Sequence, residues 1–329
     1  MWLITGATGF IGGHLIEALC ADARLRSDAP PVRCLVRSKP NRRALPDALR
    51  ISTGDLESGA GLTEALAGVD TVIHLAGVTK ALAPDGYYSG NVNGTRNLVR
   101  AIAAARRPVR LVHVSSLAAV GPSPDGTPAD EQTTPHPFTH YGKSKLAGET
   151  LVRQEYPDAV ILRPPVVYGP RDTDVFEILK PLAKGWAVEI GGGDRWFSAI
   201  YVRDLVAGLI AVARSPHAAG QTYFISHPAA VNWKDLAAVA ARLMNIRPRS
   251  LTVPLWVART AGLFAEIGAK LTRKPGIVSR EKVAEAECRW WLCDPSRLAR
   301  EIGFSAETGI EPGLRETLAW YKGAGWIRY

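Results

Sequence analysis

The chain has 329 residues, 47% of them hydrophobic and 22% charged, with a formal net charge of +9. Those proportions describe a globular protein with ample core, neither disordered nor membrane-spanning, and no apolar run approaches the ~20 residues of a spanning helix. The basic residues are dispersed, without the basic stripe and interleaved aromatics of a nucleic-acid binder, so no nucleic-acid partner is expected.

The first β-rich run, Met1 to Ile4, leads into Thr5-Gly6-Ala7-Thr8-Gly9-Phe10-Ile11-Gly12, and a helical pattern follows from Gly12 to Ala21. Strand, glycine turn and helix in that order form a pyrophosphate-binding loop. The first glycine permits the tight turn, the second lets backbone approach the phosphates, and the third lets helix and strand pack closely. The helix N-terminus presents free N–H groups and partial positive charge to the phosphates. The second strand, Val32 to Val36, ends in Arg37-Ser38-Lys39, with Arg42 and Arg43 close behind. An acidic residue there would bind the ribose 2′-hydroxyl of NAD, whereas Arg accommodates a 2′-phosphate. NADP(H) is therefore the expected cofactor and NAD(H) the alternative; a solvated basic turn is the plainer reading of the same residues.

Further strands are expected at Arg50 to Ser52, Thr71 to Leu75, Arg110 to Val114 and Ala159 to Leu162, with a helix from Asn93 to Ala105. Apolar strands alternating with helices imply a parallel sheet covered on both faces, a doubly wound α/β fold. Ser115 and Ser116 follow the fifth strand, at the carboxyl end where such sheets bind ligands. Tyr141 and Lys145 are spaced i and i+4, on one helical face. A lysine ammonium beside a phenol favours the phenolate and lowers its pKa, which suits proton exchange with an alcohol or carbonyl.

Beyond Arg163 the pattern becomes irregular at Pro164-Pro165 and Gly191-Gly192-Gly193, and Gln221 to Ile225 reads as a strand returning to the sheet. The expected division is a Rossmann domain over 1–164, with 195–226 returning to it, and a smaller, mainly helical substrate-binding domain over 165–194 and 227–329. Asp204 is expected to cap the helix running to Ala213. Asp294-Pro295 should open a helix ending at Gly303, and Glu311-Pro312 a last one through Tyr321. Pro254 to Thr272 fits either a helix packed on a core or, less favoured, one lying on a membrane surface. Cys20, Cys34, Cys288 and Cys293 lack metal-ligand spacing, so no metal is expected. No signal peptide is evident, which makes the cytoplasm the default compartment.

Together these motifs make the chain resemble the extended short-chain dehydrogenase/reductase family, part of the epimerase/dehydratase superfamily, over nearly its whole length. TGATGFIG matches TGxxGxxG, Asp55-Leu56 the adenine-contacting acidic pair, and His74-Leu75-Ala76-Gly77 the segment after strand four. Asn91-Val92-Asn93-Gly94-Thr95 matches the helix opening beside the active site. Val114-Ser115-Ser116, Tyr141 with Lys145, and Arg163-Pro164-Pro165-Val166-Val167-Tyr168-Gly169-Pro170 complete the order. The resemblance implies Ser116, Tyr141, Lys145 and Asn91 as catalytic residues, with Ser115 as the fallback serine. It implies cofactor contacts from Thr5, Gly6, Thr8 to Gly12, Arg37, Lys39, Asp55, Leu56, Leu75 to Gly77, Ser115, Tyr141, Lys145, Pro164 and Val166. Substrate contacts would fall on Ser116, Val166, Arg171, Phe197 and Tyr201. A homodimer is the family expectation.

Three departures discriminate within that family. Leu117-Ala118 stands where dehydratases carry an Asp-Glu pair, Val166 where many nucleotide-sugar enzymes carry Asn, and Arg37 where epimerases keep an acidic residue. The chain looks closer to the 3β-hydroxysteroid dehydrogenase and dihydroflavonol reductase branch. The expected small-molecule substrate is a secondary alcohol or ketone on a relatively apolar skeleton. A nucleotide-sugar 4-epimerase and a non-catalytic dinucleotide sensor are the alternatives.

Overall fold

Along each strand successive side chains point to opposite faces, so a strand that is apolar throughout needs cover on both sides. Leu3 and Ile4, Val72 and Ile73, Leu111 and Val112, and Ile161 and Leu162 are all fully buried neighbours that divide between two separate cores. The computed structural model describes residues 1–21, 32–37, 45, 49–272 and 279–329, the side chains of residues 267, 270 and 271 apart. Lys39, Arg42 and Arg43, expected near the cofactor, lie outside the described residues.

Strands β1 (Trp2–Thr5), β2 (Val32–Val36), β3 (Arg50–Thr53), β4 (Thr71–His74), β5 (Arg110–Val114) and β6 (Val160–Arg163) join the later strand Thr222–Phe224 in one sheet. Its seven strands are all parallel, in the order Thr222–Phe224, β6, β5, β4, β1, β2, β3. This is a Rossmann-type doubly wound sheet. Helices α1 (Phe10–Ala21), α2 (Leu62–Leu66), α3 (Pro84–Tyr88), α4 (Gly94–Ala104) and α5 (His140–Glu155) punctuate the strands. Leu15, Ile16 and Leu19 of α1 pack with Leu205 and Leu209 of the helix Val202–Arg214 against one face. Leu98 and Ile102 of α4 pack with Leu151 and Val152 of α5 against the other. After β3 the chain crosses to place β4 beside β1, so the strand order reverses between those two carboxyl ends. Ligands of open α/β sheets bind at such a reversal.

A third apolar cluster lies beyond the sheet, built from Tyr168, Leu179, Tyr201, Leu236, Met244, Leu314 and Tyr321. It joins the helices Asp174–Ala183, Trp233–Met244 and Ile310–Gly323. Three local expectations are corrected. Asp204 does not cap the helix Val202–Arg214; its carboxylate accepts from Thr308 N and Thr308 Oγ1 at 2.7 and 2.9 Å, tying that helix to the chain ahead of the last one. Pro295 precedes rather than begins the helix Ser296–Ile302, though Asp294 still accepts from Ser296 N at 2.9 Å. The helix expected from Asn93 begins at Gly94, behind a π-helical turn over Ser89–Asn93. No helix among the described residues is long and apolar enough to cross a membrane.

Candidate active site

The glycine turn closes on itself and on β4. Gly6 has φ +72°, a backbone only glycine adopts readily, and Gly9 N donates to Gly6 O at 2.9 Å. A Cβ on Gly6 would meet Ala76 N at 2.7 Å; one on Gly12 would meet Gly6 O at 2.3 Å. These are backbone atoms that cannot swing aside. The cradle is thus shaped for backbone to approach a diphosphate, and α1 begins at Phe10 with its free N–H groups at the turn. The residues present fit a dinucleotide. Gly12→Ala is expected to cost about 1–3 kcal/mol of stability and to weaken dinucleotide binding at least about tenfold, read by thermal melts and cofactor titration; a variant with unchanged Tm and affinity would refute the steric argument.

Around this cradle, Thr8, Phe10 and Ile11 are half-buried and Gly9 is exposed. Arg37 stands exposed at the end of β2 and makes no hydrogen bond or ion pair with any described residue. Asp55 accepts from Ser58 N at 2.9 Å, and Leu56 packs over Gly94. Leu75 and Ala76 lie against the glycine turn, and Gly77 beside Asn91 Oδ1 and Lys145 Nζ.

A chain of hydrogen bonds runs from the turn to Asn91. Ala76 N donates to Thr5 Oγ1 (3.2 Å), Thr5 Oγ1 meets His74 Nδ1 (2.7 Å), His74 Nε2 meets Thr95 Oγ1 (3.0 Å), and Thr95 Oγ1 donates to Asn91 O (2.8 Å). The last link fixes the others, because a carbonyl only accepts. Thr95 spends its one proton on Asn91, so His74 must donate from Nε2 and accept at Nδ1 from Thr5. Burial supports that neutral imidazole by pushing its pKa down to about 3. Asn91 is itself fully paired: Oδ1 accepts from Val78 N at 2.7 Å, and Nδ2 donates to Val78 O and Ser144 Oγ at 3.0 and 2.9 Å. It sits inside the π-helical turn, a distortion frequent at functional sites.

Ser116 caps a short turn after β5, its Oγ accepting from Ala118 N at 3.1 Å. Its own O–H remains available and lies near enough to Tyr141 to favour that residue's phenolate. Burial raises the Tyr141 pKa; the Ser116 hydroxyl and then Lys282 oppose that rise. Lys145 donates to Val114 O at 2.7 Å, and a cation from elsewhere in the fold, Lys282 on the helix Arg280–Glu287, favours the phenolate while its own partner Glu285 pulls the other way. Nothing in the sequence marks Lys282, because it reaches the site only through the fold.

Lys145 is buried, and burial brings its pKa down to about 8 against the opposing pull of Glu149. Glu149, wholly buried one turn further along α5, accepts from Arg163 Nε and Nη2 at 3.0 and 2.7 Å and from Arg153 Nη2 at 3.0 Å. Ser115 is buried with its Oγ unpaired, and both ring nitrogens of the adjacent buried His113 are also unpaired. Pro164 is buried, its carbonyl accepting from Leu117 N at 2.8 Å, and Val166 is exposed at the start of strand Val166–Tyr168. The remaining substrate candidates are engaged elsewhere. Arg171 grips Glu17 of α1 with two bonds at 2.6 and 2.8 Å. Tyr201 donates to Glu316 at 2.6 Å, and Phe197 stacks near Trp233 at 6.2 Å.

Dinucleotide cradle, Ser116, Tyr141 and buried Lys145 therefore share one end of the sheet. The NAD dependent epimerase/dehydratase family matches residues 2–226. The chain is 31% identical over 325 residues to a ceramide reductase of Caulobacter vibrioides (strain NA1000 / CB15N), covering 98% of this chain and 95% of the relative. It is 29% identical over 328 residues to an N-acetyl-alpha-D-glucosaminyl-diphospho-ditrans,octacis-undecaprenol 4-epimerase of Escherichia coli O157:H7, covering 97% and 94%. The solved structure of MoeE5 in complex with UDP-glucose and NAD superposes with a TM-score of 0.76 at 26% identity, covering 98% and 99%. Sequence, fold and likeness converge: the chain belongs to the NAD-dependent epimerase/dehydratase family and is an enzyme of the extended short-chain dehydrogenase/reductase type.

Proposed function

We propose that this enzyme is an NADP(H)-preferring oxidoreductase that interconverts a ketone and a secondary alcohol on a largely apolar skeleton. The observation that carries the reading is the Ser116–Tyr141 pair, in which burial holds the tyrosine as a phenol. A protonated phenol is the state required of a proton donor in ketone reduction, and its phenolate is the base for the reverse oxidation.

The cofactor would lie on the turn Gly6 to Gly12, with the remaining N–H groups of Lys145 turned to its ribose and Arg37 to its 2′-phosphate. When bound, it supplies the hydride that reduces the carbonyl carbon. Ser116 directs its O–H to the substrate oxygen, and Tyr141 Oη transfers its proton to that oxygen as negative charge develops there. Solvent reprotonates the phenolate after release. Asn91 is a positioning residue, joining the segment after β4 to Ser144 of α5. Aromatic walls support an apolar substrate: Tyr87 stands 6.3 Å from the Tyr141 ring, and Phe138 stands 6.1 Å from Trp291. The likeness to a ceramide reductase points the same way.

The test is a panel of ketones, including long-chain keto lipids, with NADPH or NADH, followed by the absorbance of the reduced nicotinamide. Net cofactor oxidation matching alcohol formed is expected. A charge-assisted contact from Arg37 to the 2′-phosphate favours NADPH by about 10- to 100-fold, and Arg37→Ala is expected to erase that preference. Equal NADH use by the wild type, unaffected by Arg37→Ala, overturns the cofactor reading. The likeness to a 4-epimerase supports a second reading, in which substrate is inverted with no net cofactor consumption.

A further inference from the structure

The helix Leu255–Thr272 is built inside out for a soluble surface. Its inward positions are small: Ala258 and Gly262 are buried, and a Cβ on Gly262 would lie 3.3 Å from Arg280 N. Its large apolar residues face outward, with Trp256 and Phe264 each 70% exposed and Leu263 43% exposed. These three fall within about a quarter turn of one another at 100° per residue, and in the sequence Ile267 and Leu271 continue the same period. From Leu255 to Arg280 the sequence carries five basic residues (Arg259, Lys270, Arg273, Lys274 and Arg280) against one acid, Glu266, and of these Arg259 is held by two bonds at 2.7 Å to Glu287. The preceding strand Arg249–Val253 adds exposed Leu251, which lines a groove with Trp186, Lys180 and Lys184.

We propose that this outer face seats on an anionic membrane surface, with Trp256, Leu263 and Phe264 in the headgroup–acyl boundary and the segment's net positive charge drawing it to anionic lipid. Exposed aromatic and leucine side chains beside Lys and Arg, on a helix too polar to span, are what such a surface retains. A second copy of the chain fits less well. The three side chains offer roughly 400 Å², about half of what each partner of a stable dimer buries, and two copies would bring like charges together. The placement also serves the chemistry. The docked helix packs on Arg280–Glu287, whose Lys282 acts on Tyr141 and whose Glu285 O accepts from Trp291 Nε1 at 3.0 Å. For a lipid substrate, only the helix Arg280–Glu287 would then stand between the docked helix and the segment whose charge reaches the catalytic tyrosine. That last step rests on the proposed apolar substrate, whereas the docking stands on the helix alone.

The test is co-sedimentation of the full chain with vesicles of phosphatidylcholine, alone or mixed with phosphatidylglycerol. Wild type is compared with Trp256→Ser/Phe264→Ser, a double variant of exposed positions expected to keep the wild-type melting temperature and its activity on a short water-soluble ketone. Pelleting is expected with the anionic vesicles, falling at high salt, and at least about tenfold weaker binding for the variant. No pelleting of the wild type, or pelleting equal in both proteins, overturns docking. So does a wild-type dimer, seen by analytical ultracentrifugation, that the variant dissolves. Ketone inactivity in both proteins with the expected pelleting leaves docking supported and removes the functional reading instead.

Discussion

Tyr141→Phe is expected to lower kcat for ketone reduction by about 10²- to 10⁴-fold while leaving dinucleotide affinity within a factor of about two. The substitution deletes one oxygen and keeps the ring against Tyr87, so the packing of α5 is preserved. What disappears is the proton donor. Ser116 still offers its O–H, which stabilises developing charge but leaves the oxygen without a group that gives up its proton readily. The pH profile adds a second check. Burial raises the Tyr141 pKa, so the phenol stays protonated well above neutrality and its titration does not set the alkaline limit. Lys145 loses its proton first, at about 8. The decline of activity above pH 8 should therefore persist in the residual rate of Tyr141→Phe, because it reports Lys145. Undiminished turnover in the variant would place proton transfer elsewhere.

The parts of this site that were legible in the sequence are those set by local chemistry. Gly6, Gly9 and Gly12 can be read because a tight turn and close backbone approach leave few residue choices. The β2 and β5 boundaries match expectation, and the other sheet strands lie within a residue of it, because buried parallel strands are apolar runs ended by turn residues. Interactions between distant segments were not legible. Lys282 reaches Tyr141 only when the helix Arg280–Glu287 folds over α5, and no spacing rule links residues so far apart. Tyr141 and Lys145 lie on one helix as their spacing implies, but the bond from the Lys145 ammonium to Val114 O was not legible. Asp204 shows the same limit, since a carboxylate in the first turn looks like a cap until Thr308 arrives to occupy it. Trp256 and Phe264 belong to an apolar face whose spacing fits a core-packed helix or, less favoured, a membrane-surface one. They are exposed because the opposite face of their helix offers Ala258 and Gly262 for close packing.

Glu149→Gln is expected to cost about 3–5 kcal/mol, because it leaves the buried Arg163 guanidinium without its counter-charge. For a chain of this size that is a fall of about 4–7 °C in Tm. Glu149 is the only carboxylate the described residues place on Arg163, with two bonds to it and a third from the more exposed Arg153. Its pKa is held down against burial by Arg163, so its contribution is present at neutral pH and is lost as pH falls through the depressed value. The wild type should lose that advantage over the variant on acidification. Lys145 gives the same sign in a more alkaline window. Burial lowers its pKa to about 8, so between that value and the ordinary ~10.4 the unfolded chain binds more protons at this site, and stability from this group rises with pH. Removing Glu149 deletes the charge that opposes this lowering, which moves the alkaline limb of activity below 8. Replacing both members, Glu149→Leu with Arg163→Leu, removes the stranded charge and is expected to recover most of the lost Tm, yet it leaves Lys145 without its carboxylate. Stability that returns while the shifted pH profile remains would separate the structural role of the ion pair from its hold on Lys145. A double variant as unstable as Glu149→Gln would show instead that shape, rather than stranded charge, governs the site.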